Sequence, residues 1–143
     1  MRLFFDTSVL VAACVRRHPH FPRARPLLES VVAGVEGVIS GHSLAETYSA
    51  LTSLPLAPRI LPAEAEMIIG ANVRPHFRRQ ALTDAMYDRA VQVCVRHSVS
   101  GGGVYDALLI ECAREAGCDR LYTFNVADFR RLAPDLVTCI VAP

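Results

Sequence analysis

Four short apolar runs, at Arg2–Phe5 and at residues 38–40, 120–124 and 136–141, are separated by stretches of helical periodicity. This alternation constrains the fold more than any other feature of the chain. None of the runs alternates cleanly between apolar and polar residues. Strands of that kind are buried on both faces, as in a parallel sheet with helices packed above and below. The spacing predicts helices over residues 9–16, 23–33, 44–54, 62–72, 83–97 and 104–116, with a helical turn at 126–131. Pro62 suits the first turn of its helix. Residues 74–82 read as irregular or as one more short strand. The expectation is a doubly wound α/β fold, with residues 1–143 forming one domain.

Composition narrows the class. A hydrophobic content of 52% and a mean hydropathy of +0.28 argue against disorder. No apolar run approaches the ~20 residues of a membrane span, so no membrane association is expected. The start of the chain is apolar at once and interrupted by Asp6, a pattern of neither a signal peptide nor a transit peptide. Five scattered cysteines without a Cys-x-x-Cys pair point to a reduced, cytoplasmic protein and away from a zinc site. A net charge of +1 gives no global case for nucleic acid binding, but all 15 basic residues are arginine, the side chain suited to bidentate phosphate contacts. Arg74, Arg78 and Arg79 around Phe77 form one candidate RNA-contacting stretch, with Phe77 able to stack a base. Arg16, Arg17, His18 and His20 form another. The bland alternative for both is a solvated loop.

Four acids sit where strands meet helices: Asp6, Glu46, Asp106 and Asp128. In an open α/β sheet, ligands collect at the carboxyl ends of the strands. Asp6 ends the first run, and Asn125 and Asp128 follow another. Glu46 and Asp106 fall early in helices whose amino ends point to the same edge. Each has a local alternative. Asp6 and Asp128 could be helix caps, Ser43 and Glu46 have capping-box spacing, and Asp106 would favour the helix dipole in any case. Gathered on one edge, the carboxylates would repel each other unless a cation held them. Oxygen-only donors favour Mg²⁺ or Mn²⁺. Such a site, without a Ser or Cys nucleophile motif, fits hydrolysis of a phosphodiester by a metal-bound water.

The runs Phe5-Asp6-Thr7-Ser8-Val9-Leu10, Ser43-Leu44-Ala45-Glu46, Gly103-Val104-Tyr105-Asp106-Ala107-Leu108 and Tyr122-Thr123-Phe124-Asn125-Val126-Ala127-Asp128, in that order, resemble PIN-domain ribonucleases. More narrowly they are similar to VapC-type toxins of bacterial toxin–antitoxin pairs. The resemblance implies a three-layer α/β/α sandwich with a short, mostly parallel sheet. It also implies magnesium-dependent endoribonuclease activity and inhibition by a VapB-type antitoxin. On this reading Asp6, Asp106 and Glu46 hold the metal. Asp128 or Asn125 takes the fourth position, where family members often carry Asp in place of Asn125. Thr7, Ser8 and Thr123 match hydroxyls that hold the carboxylates or metal waters. The expected protein is a cytoplasmic toxin, a homodimer, acting on RNA. Two alternatives stand beside it: a PIN-like module that binds RNA or a partner without cutting, and another metal-dependent phosphohydrolase.

Overall fold

The computed structural model describes all residues, Met1–Pro143. Five parallel strands form one sheet: β1 (Arg2–Phe5), β2 (Glu36–Ser40), β3 (Phe77–Gln80), β4 (Arg120–Tyr122) and β5 (Ile140–Val141), in the order β3-β2-β1-β4-β5. Helices α1 (Thr7–Cys14), α2 (Phe21–Val32), α3 (Ser43–Ser53) and α4 (Pro62–Asn72) contribute to one buried cluster. Helices α5 (Asp84–Arg96), α6 (Gly103–Glu115) and α7 (Val126–Leu132) contribute to the other. β1 shows why the apolar runs lacked alternation. Leu3 and Phe5 enter the first cluster while Phe4 enters the second, so every position needs an apolar side chain. Val38 and Ile39 divide in the same way.

The chain runs outward from β1 through β2 to β3, then returns to the other side of β1 as β4. The segment leaving β1 therefore turns to one layer and the segment leaving β4 to the other. A crevice opens between them, at the switch in strand order. Asp6 and Thr123 are the residues that immediately follow those two strands.

Two elements differ from expectation, and residues 74–82, left open between irregular and strand, contain a strand. Residues 77–80 form a true edge strand, paired with β2 from Gly37↔Phe77 to Ser40↔Gln80. Gly37 permits that pairing, because a Cβ there would lie 2.7 Å from Val31 Cγ1 and 2.8 Å from the Phe77 ring. The last run is mostly not a strand. Pro134–Leu136 form a 3₁₀ turn, leaving only Ile140–Val141 in the sheet. The Leu136 and Cys139 N–H groups are spent locally, on the carbonyls of Ala133 at 3.0 Å and Leu136 at 2.8 Å, which holds residues 136–139 in turns. β4 ends at Tyr122, two residues early, because the Thr123 side chain turns to Asp6. No helix is long and apolar enough to cross a membrane. All five cysteines are free thiols.

Candidate active site

Asp6 begins α1 with its backbone and leaves its side chain for other work. Its carbonyl accepts the N–H groups of Val9 and Leu10 at 3.0 and 3.2 Å, and the carboxylate caps nothing. Oδ2 instead accepts the hydroxyls of Ser8 at 2.6 Å and Thr123 at 2.8 Å. Those two hydroxyls are themselves fixed, because Ser8 Oγ accepts the Phe124 N–H at 3.4 Å and Thr123 Oγ1 accepts the Asn125 N–H at 3.0 Å. The end of β4 is thereby stitched to the end of β1. Asp6 is buried, 7% exposed, yet no protein group donates to Oδ1.

Glu46 lies in the first turn of α3, half-buried. The capping box that was the local alternative for Ser43 and Glu46 does not form. His42 occupies the cap position, and the Ser43 hydroxyl is buried without a partner inside the helix. Glu46 reaches across instead, accepting Thr7 Oγ1 at 2.6 Å on Oε2 and pairing through Oε1 with His42 Nε2 at 3.2 Å. His42 also stacks with Tyr105, the neighbour of Asp106, at 6.3 Å between ring centroids. The four-residue spacing of His42 and Glu46 is the sequence signal for that pairing.

Asp106 lies in the first turn of α6 and accepts the Asn125 amide at 3.3 Å. Burial pushes its carboxyl up from 3.8 to about 6. The negative charges of Asp6, Asp128 and Glu46 push the same way, and the Asn125 hydrogen bond pulls it back. The four acids thus share one electrostatic neighbourhood. Asp128, exposed in the first turn of α7, lines a cleft of about 400 Å³ with Asp106, Gly103, Ser98, Ser100 and Arg131.

The donor chemistry suits a hard divalent cation, since every candidate ligand is an oxygen and the carboxylates repel one another. No three His, Cys, Asp or Glu side chains close on a common point as they stand. The carboxylates feel each other's charge across a gap rather than forming a finished chelate.

That repulsion has a measurable sign. At low pH the Asp106 carboxyl is protonated in both the folded and the unfolded chain and costs nothing. As pH rises through about 6, it must ionise in the fold against burial and its charged neighbours, whereas the unfolded chain released its proton near 3.8. Stability is therefore lost across that window. Asp135, held below the usual carboxylate range by its hydrogen bonds to Arg114, contributes the opposite trend. In EDTA, the Tm of wild type relative to Asp106→Asn is expected to fall by a few degrees between pH 4 and 7. An unchanged difference across that range would contradict the coupling.

The three arginines expected at RNA differ in their surroundings. Arg74 is paired with Glu66. Arg78 is held by Glu36 at 3.3 Å, near the amino end of β2 and away from the carboxylates. Arg79 is exposed on the edge strand. Phe77 cannot stack a base. It is 6% exposed and packs edge-on against Phe5 at 5.0 Å between centroids. A strand that pairs with β2 sends alternate side chains inward, and Phe77 is one of them.

The sequence profile of the PIN domain matches residues 3–134. The chain belongs to the PIN-domain family. Within it, the relatives are VapC ribonucleases. The chain is 33% identical over 113 residues to Ribonuclease VapC27 of Mycobacterium tuberculosis, covering 79% of this chain and 77% of that one. It is also 33% identical over 116 residues to Ribonuclease VapC40 of the same organism, covering 81% of each. The fold is similar to that of M. tuberculosis VapC20, described as a sarcin-ricin loop cleaving toxin, with a TM-score of 0.71 and 21% identity over 88% of this chain and 92% of that one. It is similar also to VapBC2 of Rickettsia felis, solved with a DNA fragment from its promoter, with a TM-score of 0.69 and 16% identity over 100% of this chain and 98% of that one. The PIN-domain architecture expected from the sequence is thus the one the chain adopts.

Proposed function

We propose that this PIN-domain protein is a metal-dependent endoribonuclease, the toxin of a toxin–antitoxin pair. The observation that carries the reading is the placement of acids at the switch in strand order, where Asp6 is hydrogen-bonded to Thr123 and Asp106 to Asn125, two residues that follow β4. Asp6, Glu46 and Asp106 are the residues to hold the ion, Mg²⁺ or Mn²⁺, with Asn125 or Asp128 at a fourth position. Bound there, the ion would activate water and offset charge on the phosphoryl oxygens.

The chain's own groups do the positioning. Ser8 and Thr123 fix Asp6 Oδ2 and leave Oδ1 available. Thr7 fixes Glu46 Oε2, and Asn125 fixes Asp106 Oδ2. Asp128 is exposed in the cleft and suited to orient water or accept a proton. The substrate is RNA, the inhibitor a VapB-type antitoxin, and the setting cytoplasmic, with residues 1–143 as one domain and the protein a homodimer. The exposed Arg79 remains available to RNA phosphates.

The test is cleavage of an RNA pool with Mg²⁺ or Mn²⁺, an EDTA control and a DNA control. Cation-dependent cutting of RNA alone supports the reading. A cation-induced rise in Tm with no turnover on any RNA would favour a non-cutting binding module. That second reading has its own observation in Asn125, a neutral group at the acid cluster. Preference for DNA would mark another phosphohydrolase. Thr123→Val keeps the shape but removes the donor to Asp6, and is expected to lower kcat/KM about 10–100-fold with the fold intact. Full activity in that variant would deny Thr123 a positioning role.

A further inference from the structure

The connector between α1 and α2 carries an aromatic arrangement that the carboxylate site does not use. The His20 ring stacks on Phe124 at 4.5 Å between centroids and an interplanar angle of 23°. The Arg23 guanidinium sits 5.5 Å from the Phe124 centroid. Both partners are fixed from outside the stack. The His20 carbonyl accepts the N–H groups of Arg23 and Ala24, each at 3.1 Å, which ties its backbone to the start of α2. Arg23 donates to the Pro143 carbonyl at 3.2 and 2.9 Å.

Phe124 is anchored by its N–H to Ser8 Oγ, the hydroxyl that donates to Asp6. The foot of the stack is therefore two hydrogen bonds from the Asp6 carboxylate. Phe124 is half-buried, whereas His20 is exposed. A stack serving only to pin the connector would be equally well made by aliphatic side chains. This one presents the exposed His20 ring, with His18 tilted against it at 5.7 Å between centroids and the Arg23 guanidinium over the Phe124 ring, one residue before the Asn125 that meets Asp106.

We propose that the His20–Phe124 stack, braced by Arg23, receives one unpaired base of the RNA strand next to the cleaved phosphate. The proposal rests on the ribonuclease reading above. A base in a duplex has both faces covered, so only a base splayed out of a loop can lie on His20. Aromatic stacking of a base is worth about 1–3 kcal/mol, and a purine offers the larger face. Arg23 places a fixed cation where the backbone phosphate of that nucleotide would pass. The platform gives a chain of net charge +1 a way to hold RNA that does not depend on overall electrostatic attraction. His20 is a specificity residue here. It touches the substrate base and leaves the acid chemistry to other groups.

The experiment uses the full-length protein and a pool of stem–loop RNAs with randomised loops, cleaved in Mg²⁺ and sequenced. Wild type is expected to show a purine preference at one position beside the cut. His20→Ala should flatten that preference and lower kcat/KM about 5- to 100-fold. His20→Phe, which keeps a planar ring, should retain both. Equal melting temperatures of the three proteins would exclude a folding defect. Cleavage by His20→Ala with an unchanged base preference would overturn the platform and leave the ribonuclease reading standing. Loss of the preference in His20→Phe as well as His20→Ala would also overturn it, because the ring would then not be what the base requires. Absence of any cutting by wild type would instead sink the ribonuclease reading, and the platform with it.

Discussion

Asp6→Asn and Asp106→Asn are each expected to lower RNA cleavage by about a thousandfold or more, with folding preserved. A bound ion contributes several kcal/mol to stabilising charge in the transition state, and each 1.36 kcal/mol is about tenfold in rate. Asparagine removes the negative charge that holds the ion and keeps the shape. At Asp6 the amide oxygen can still accept Ser8 and Thr123, so the stitch between β1 and β4 survives. At Asp106 the change also removes a carboxylate that burial, and then its charged neighbours, push up to about 6. The Asp106→Asn protein in EDTA should therefore melt no lower than wild type at pH 7. Mg²⁺ should raise the Tm of wild type and have little effect on either variant. Purified Asp6→Asn protein that still cut RNA at the wild-type rate would end the proposed assignment of these residues.

The largest expected change in stability comes from Phe5→Ala. Phe5 has no exposed surface, and its ring packs edge-on against Phe77 at 5.0 Å and Tyr122 at 6.0 Å between centroids. It thus joins β1 to the edge strand on one side and to β4 on the other. Truncating a buried Phe costs about 3–5 kcal/mol, from lost burial and from the cavity left behind. For a chain of this size the Tm should drop by roughly 10 °C or more. Because Phe5 precedes Asp6, the Mg²⁺-induced rise in Tm should shrink as well. A loss under ~1 kcal/mol in chemical denaturation would mean that the neighbours close the cavity, against close packing in this layer.

The layered architecture was legible because it depends on burial, and burial shows in composition. Leu3, Phe4 and Phe5 in succession can only be satisfied by cover on both faces. The four acids were legible because carboxylates at strand ends and in first turns of helices stand out against an apolar background. Their local alternatives were not resolvable, since a capping box and a site carboxylate obey the same spacing. Only the geometry separates them, with Glu46 bound to Thr7 and Ser43 left unpaired. The last run misled because hydropathy does not register that Leu136 and Cys139 hydrogen-bond locally, to Ala133 and Leu136, and so form turns. Phe77 misled because its arginine neighbours suggested a solvent face, while strand pairing turned the ring inward. The His20–Phe124 stack joins residues about a hundred positions apart, which no local pattern encodes.

The stitch between β1 and β4 also bears on the order in which the protein comes into being. Asp6 leaves the ribosome well before Thr123, which follows it by 117 positions, and before Asn125 and Asp128. Until β4 docks beside β1, Asp6 lacks its Thr123 donor and Asp106 lacks Asn125. A nascent or truncated chain that stops short of Thr123 carries the acids of a cutting site without the groups that align them. The cell therefore meets the assembled cluster only after β4 and the residues that follow it have been made.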